Sequence, residues 1–114
     1  MKYFIAVPVP TNKIEENDVY ESRMRAIHTL QAEGHEVAYN VFEGDWWSEE
    51  TMKNRGIKDT KLHYLAKAIE ELSKCDGIYI AKMTQLQEVW RADPMRVILA
   101  NCASFYDLDI RYED

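Results

Sequence analysis

Hydrophobic positions follow two alternating patterns along the chain. Continuous apolar runs rich in β-branched and aromatic residues occur in "YFIAVPV", "HEVAYNVF" and "CDGIYIA", and a shorter one in "LDIRYED". Such runs are typical of strands that are covered on both faces, as in parallel sheets. Between them, apolar residues recur every three or four positions, which is the spacing of an amphipathic helix. The pattern therefore predicts that strands and helices alternate.

Capping residues predict where the helices begin. Asn17 or Asp18 is suited to begin the first helix, after "TNKIEEND" as a polar loop, and Thr60 is suited to cap a later one. Asp93 before Pro94 is the clearest boundary, because aspartate favours the N-cap and proline favours the first helical position. The segment before Asp93 is expected to be a loop, and the last helix is expected to start there.

The order of these elements predicts an α/β fold. Strands that alternate with helices form parallel sheets with right-handed crossovers. We expect a small doubly wound sheet of the Rossmann-like or flavodoxin-like kind, with four strands in the order 2-1-3-4 and helices on both faces. The chain has 114 residues, which suits a single domain over residues 1–114.

The fold class predicts the position of a ligand site. In open parallel sheets, ligands bind at the carboxyl ends of the strands, near the switch in strand order. Four stretches follow the predicted strands or open the last helix: 8–12, 40–47, 82–90 and 93–96. Their candidate residues are Pro8, Asn40, Asp45, Trp46, Trp47, Trp90 and Arg96 for ligand binding, with Glu88 and Asp93 for catalysis.

The composition removes several classes of function. The net charge of −6 disfavours polymeric nucleic acid, whose binding requires a basic surface. The chain has no Gly-rich dinucleotide or triphosphate motif and no metal-ligand spacing among its histidines, so no cofactor and no metal are expected. Cys75 and Cys102 are far apart and suit a reducing compartment. The apolar start is too short to span a membrane, so we expect a cytoplasmic protein without a membrane partner.

Four segments together resemble the nucleoside 2-deoxyribosyltransferase-like superfamily, especially its small bacterial and phage members. These segments are "MKYFIAVPVP", "AIHTLQAEGHEVAYN", "LAKAIEELSKCDGIYIA" and "VWRADPMRVILANCASFYDLDIRY". They cover most of the chain, and their order and spacing carry more weight than any one motif. The resemblance implies transfer or hydrolysis at the N-glycosidic bond of a nucleoside, with a glutamate near the start of the last helix as nucleophile.

The sequence departs from the family pattern at the nucleophile. The position of the glutamate falls at or near Leu99, and the small residue that precedes it in the family falls near Met95. Leucine cannot attack an anomeric carbon, and methionine fills space where the sugar would approach. Within the loop, Glu88 is the only plausible replacement carboxylate, and Asp93 is chiefly a helix cap at the rim of the site.

Three functional hypotheses follow. The first is a nucleoside- or nucleotide-binding domain whose catalysis is altered, with the base stacked on Trp46, Trp47 or Trp90 and any phosphate near the backbone amides of residues 93–96. The second is an active N-glycosidase or deoxyribosyltransferase that uses Glu88 or another acid. The third is an interaction protein without a small ligand. A homo-dimer that buries an apolar helix face is the expected assembly.

Overall fold

The computed structural model describes residues 1–38 and 48–113. Within these residues, strands and helices alternate along the chain as the hydrophobic pattern predicts. The strands are β1 (Lys2–Ala6), β2 (Glu36–Val37), β3 (Gly77–Ile80) and β4 (Asp109–Tyr112). The helices are α1 (Lys13–Ala32), α2 (Glu49–Asn54), α3 (Thr60–Leu72), α4 (Gln87–Arg91) and α5 (Pro94–Phe105).

The four strands form one parallel sheet in the order β2-β1-β3-β4. Tyr3 lies beside Gly77, and Gly77 lies beside Asp109, so the three longer strands are in register. This arrangement confirms the predicted α/β class, the parallel pairing and the strand order. The carboxyl ends of all four strands consequently meet at one edge of the sheet.

Helices cover both faces of this sheet. Helix α1 packs on β1 and β2, α3 packs on β1, and α5 packs on β3 and β4. Because the crossovers of parallel sheets are right-handed, α1 lies on one face, and α3 and α5 lie together on the other. The core between these layers contains Phe4, Leu30, Tyr64, Ile78 and Leu99, each at most 2 % exposed.

The predicted start of the first helix is wrong by one to two turns. Asn12 caps α1, because its side-chain oxygen accepts a hydrogen bond from the Glu15 backbone N–H at 2.9 Å. Glu15 in turn accepts bonds from the Thr11 backbone N–H and hydroxyl, at 3.0 and 2.9 Å. These reciprocal bonds resemble a capping box. They make the stretch "KIEEND" the first turns of the helix rather than a loop, and they leave Asp18 inside it.

Two further boundaries differ from the prediction. Asp59 rather than Thr60 caps α3, since its carboxylate accepts the Leu62 backbone N–H at 2.9 Å. The stretch before Asp93 contains a short helix, α4, where a loop was expected. Asp93 does cap α5, with Pro94 as its first residue, as predicted.

Candidate functional site

A groove of about 540 Å³ lies between α3 and α5, next to the carboxyl end of β1. Val9, which follows that strand, lines it together with residues of α3, α4 and α5. Most of the wall is apolar. The lining residues are Val9, Asp59, Lys61, Leu62, Leu65, Val89, Ala92, Asp93, Pro94, Met95 and Ile98. This position agrees with the rule that ligands bind where parallel strands end.

Two helix-capping carboxylates line the groove, one from each of its two helices. Asp59 begins α3 on one wall, and Asp93 begins α5 on the other. Each uses Oδ1 to accept a backbone N–H of its own helix, from Leu62 and Met95 respectively, both at 2.9 Å. Among the described residues, Oδ2 of each carboxylate accepts no hydrogen bond. Two carboxylate oxygens are therefore free to accept hydrogen bonds from a ligand.

The backbone amides at the start of α5 are already bonded. Pro94 has no N–H, and the Met95 N–H donates to the Asp93 carboxylate. The N–H groups of Arg96 and Val97 both donate to the Asp93 carbonyl, at 3.1 and 3.4 Å. The anion site that a helix N-terminus normally offers is thus filled by Asp93 itself. The predicted place for a phosphate has no spare donor.

Asp18 fixes the loop that follows β3 at this edge of the sheet. The residue is 5 % exposed, and its carboxylate accepts backbone N–H bonds from Thr84, Gln85 and Leu86, at 3.0, 2.9 and 2.9 Å. Leu86 is the N-cap residue of α4, and its own side chain makes no capping bond. Asp18 therefore caps α4 from a different helix.

Trp90 is the side chain that α4 turns inward. It is fully buried, and its indole N–H donates to the Ala81 carbonyl at 2.9 Å. A ring in this position closes the core above the end of β3 and presents no face to a ligand. Stacking of a base on Trp90 stays a prediction, and the buried ring offers no exposed face for it.

The other predicted site residues separate into different surroundings. Asp93 lines the groove, whereas Glu88 lies on the exposed side of α4 and is not part of the lining. Pro8 is buried and is not part of the lining. Arg96 is half-buried, with its guanidinium 5.4 Å from the centre of the Tyr112 ring. The structure thus brings Asp93 to the groove without Glu88 as a catalytic partner.

The candidates Asn40, Asp45, Trp46 and Trp47 lie outside the described residues. Their predicted roles in ligand binding stay predictions. The same holds for stacking of a base on either tryptophan.

Leu99, the position at which the family resemblance expects a nucleophile, is fully buried in the core. It does not line the groove. Met95, one turn earlier, does line it, although only 7 % of the side chain is exposed. The wall of the groove nearest the start of α5 is therefore apolar apart from Asp93.

A separate polar cluster lies near the carboxyl ends of β3 and β4, on the α1 face. The Arg25 guanidinium binds the Glu113 carboxylate through Nε and Nη2, at 2.6 and 3.1 Å. The Lys82 backbone N–H donates to the same carboxylate at 2.7 Å. Partial burial works to raise the pKa of Glu113, but these hydrogen bonds outweigh it and hold the pKa below its ordinary value. The cluster joins α1 to the last strand.

The described residues offer no obvious place for a metal ion. Within residues 1–38 and 48–113, no three His, Cys, Asp or Glu side chains are grouped to hold one. Cys75 and Cys102 are free thiols, and burial raises the pKa of Cys75 to about 11, which disfavours the reactive thiolate. None of the helices in this part of the chain is long and apolar enough to cross a membrane.

Sequence reasoning missed three residues of this edge of the sheet. Asp59 was detectable, because aspartate before a helical pattern is a common N-cap. Lys61 and Asp18 carried no such local signal. Asp18 contacts a loop 66 to 68 positions away, and only the folded chain brings the two together.

Comparisons of the chain with protein-family models, with curated proteins and with solved structures found no match.

Proposed function

We propose that this domain binds an uncharged nucleoside in the groove between α3 and α5 and does not cleave its glycosidic bond. The proposal rests on one observation: two carboxylates, Asp59 and Asp93, stand on opposite walls of an apolar groove, each with an oxygen free. A nucleoside presents a flat apolar base and several hydroxyl donors on its sugar. The groove offers a counterpart to each.

The size and lining of the groove suit a ligand of this class. Small-molecule sites commonly enclose about 300–1,000 Å³ and are mostly apolar, with a few polar groups that orient the ligand. The groove of about 540 Å³ is in this range. Leu62, Leu65 and Ile98 supply an apolar surface for a base, and the Oδ2 atoms of Asp59 and Asp93 accept sugar hydroxyl donors.

A phosphate group is disfavoured in this site. The amides at the start of α5 are bonded to Asp93, and two carboxylates face the groove against one lining cation, Lys61. Like charges destabilise a bound phosphate. We therefore expect a nucleoside to bind better than the corresponding nucleotide.

We expect binding without cleavage because the two carboxylates of the groove, Asp59 and Asp93, each already cap a helix, and neither stands at the position where the resemblance expects the nucleophile. Glycoside chemistry of the retaining kind needs two carboxyl groups about 5 Å apart, one as nucleophile and one as acid. Leu99 is buried where the resemblance expects the first, and Glu88 lies outside the groove. Binding is accordingly the function that the groove supports, with active N-glycosidase chemistry as the alternative to be tested.

The central experiment is a calorimetric titration of the purified protein with nucleosides, the matching monophosphates and free bases. Asp59→Asn and Asp93→Asn are the matched variants, because asparagine caps a helix about as well as aspartate. Each variant keeps the fold but replaces a charged acceptor, and we expect affinity to fall about tenfold. Asp107→Asn, far from the groove in an exposed turn, serves as control and should bind normally.

Activity is followed in the same preparations as release of free base, with Glu88→Gln beside the unchanged protein. We expect no release above background. Release that disappears in Glu88→Gln would favour the N-glycosidase hypothesis. Release that persists in Glu88→Gln would direct the search to another acid.

An interaction surface is the second candidate function. Leu62, Val89 and Ile98 are 64, 67 and 40 % exposed and line the same groove, and grouped exposed apolar side chains are typical of interaction surfaces. If no nucleoside, nucleotide or base produces heat or a thermal shift, this hypothesis takes precedence over small-molecule binding.

A further inference from the structure

The outer edge of β4 is open in the described part of the chain, where the sheet ends at this strand. The backbone N–H groups of Asp109 and Glu113 donate to carbonyls of Asp76 and Ile80 on the β3 side, at 3.1 and 3.0 Å. Because backbone groups alternate in direction along a strand, those of Ile110 and Tyr112 point away from β3. An edge of this kind is a template for another strand.

We propose that two copies of this chain pair through β4, antiparallel and about a two-fold axis at Ile110, to form a continuous eight-stranded sheet. The contact is isologous, since the same edge contributes from each copy. It does not use the groove, so it stands independently of the nucleoside proposal.

Charge decides the register. With the axis at Ile110, Asp109 of each copy lies opposite Arg111 of the other, and two opposite-charge pairs form on the α1 face. With the axis at Arg111, two arginines would face each other, and Asp109 would face Glu113. Cross-strand pairs of opposite charge are favourable and like pairs are not. An axis at Tyr112 would place Arg111 opposite Glu113, but Glu113 is already bound by Arg25 and the Lys82 backbone N–H. The axis at Ile110 is therefore the register that we propose.

The charged side chains of the edge are already held in place. Asp109 accepts a hydrogen bond from the Tyr3 hydroxyl. Arg111 binds Glu33 through both Nη atoms, at 2.8 and 3.1 Å, and lies over the rings of Tyr3 and Tyr79, at 5.8 and 5.5 Å. Ordering them on association thus loses little additional side-chain entropy.

The opposite face of the edge is apolar and aromatic. Ile110 is half-buried and would meet its own copy at the axis, where each backbone N–H bonds to the other Ile110 carbonyl. Phe105 and Tyr106 are each 79 % exposed beside the start of β4, and Tyr112 is 53 % exposed at its end. An antiparallel pair brings the start of one strand beside the end of the other, so these exposed aromatics of the two copies come close together.

Ile110→Pro tests the proposal with little disturbance of the monomer. Proline removes only the outward N–H and is tolerated on edge strands when that group faces solvent. We expect the full chain to sediment as a dimer at about 200 micromolar and to dissociate on dilution. Ile110→Pro should raise the dissociation constant about tenfold or more, because two symmetric hydrogen bonds are lost. Ile110→Val keeps the N–H and should dimerise normally.

Disulfide trapping tests the register without relying on proline. In a Cys102→Ser background, Ile110→Cys places two thiols directly opposite each other, and oxidation should link the copies. Tyr112→Cys places its thiols four residues out of register, about 14 Å apart, which is too far for a disulfide. Monomer alone at the highest concentration overturns the proposal. So does a folded Ile110→Pro with unchanged affinity, or cross-linking through Tyr112→Cys but not through Ile110→Cys.

Discussion

The two faces of the sheet use their charged side chains differently. On the α1 face, Asp18, Arg25 and Glu113 are bonded to other parts of the fold and connect α1 to the β3 loop and to the end of β4. On the α3/α5 face, Asp59 and Asp93 cap their own helices and keep one oxygen free in an apolar groove. Carboxylates of the first kind stabilise the fold, and those of the second kind remain available to a ligand.

The difference shows that the number of hydrogen bonds a carboxylate already makes is more informative than its position near a strand end. Asp18 and Asp93 both lie at the same edge of the sheet. Asp18 accepts three loop amides with both oxygens, so it has little capacity left for a ligand. Asp93 accepts one side-chain bond. Substitutions should therefore affect stability on the α1 face and ligand binding on the groove face.

The largest effect is expected at Asp18. Asp18→Ala leaves three loop N–H groups without their acceptor and removes the cap of α4. Water replaces part of the loss, because Thr84 and Gln85 are exposed, and we expect the free energy of unfolding to fall by about 2–4 kcal/mol. Urea denaturation measures this. Glu16→Ala, an exposed substitution on the same helix, should change it by less than about 0.5 kcal/mol; equal effects would contradict the comparison.

A second large effect is expected at Gly77, beneath the Tyr3 ring on the α1 face. A Cβ at this position would lie 2.6 Å from Tyr3 Cε1 and 2.9 Å from the Asp109 backbone oxygen. The strand backbone cannot move aside easily, so Gly77→Ala should destabilise the fold by about 1–3 kcal/mol. Tyr3→Leu in combination should recover only part of this loss, because the Asp109 oxygen remains. Full recovery of stability in the double variant would show that the clash with the Tyr3 ring alone causes the loss.

The Glu113 carboxylate should make stability depend on acid pH. Its pKa in the fold is below the ordinary value of 4.5, so its contribution is present above about that pH and is lost as the pH falls through the folded pKa. At pH 7, Glu113→Gln should lower the free energy of unfolding by about 1–2 kcal/mol, reduced by the partial exposure of Arg25. The difference between the two proteins should shrink in acid. A constant difference across pH would contradict the role of the charge.

The smallest effect is expected at Asp93, on the groove face. Asp93→Ala removes the α5 N-cap and should cost about 1 kcal/mol, whereas Asp93→Asn should be nearly neutral. Thermal denaturation of the three proteins compares them directly. A loss at Asp93→Asn as large as that at Asp18→Ala would show that the groove carboxylate is as structural as those of the α1 face.

Local sequence signals predicted the start of α5 correctly, at Asp93-Pro94, but misplaced the starts of α1 and α3. The Asp-Pro pair fixes a boundary because both preferences act within adjacent residues. For α1, the sequence favours Asn17 or Asp18 as the cap, but the structure uses Asn12. For α3, the sequence favours Thr60, but the structure uses Asp59. Asp59 is the cap because its carboxylate accepts the Leu62 backbone N–H, a contact that residue type alone does not reveal. The packing of α3 leaves Leu62 64 % exposed and buries Tyr64 and Ala68.

The candidate site was predictable in position but not in composition. The carboxyl edge of the sheet follows from the fold class, and Asp93 was expected at its rim. Glu88 and Trp90 occur in the same short segment but differ in burial. Helix α4 places Trp90 in the core and Glu88 in solvent. No local pattern indicates this, since the amides before α4 are capped by Asp18, 66 to 68 positions earlier.

The sequence by itself determined the alternation of strands and helices and, through it, the parallel sheet, because hydrophobic periodicity acts on every element and strands joined through helices pair in parallel. The strand order was predicted from the fold class that this alternation indicates. The tertiary structure alone decided which carboxylates are fully hydrogen-bonded within the fold and which keep an oxygen free for a ligand. Hydrogen bonds between distant segments form only when the chain is folded, and their partners are set by three-dimensional proximity rather than by spacing along the sequence.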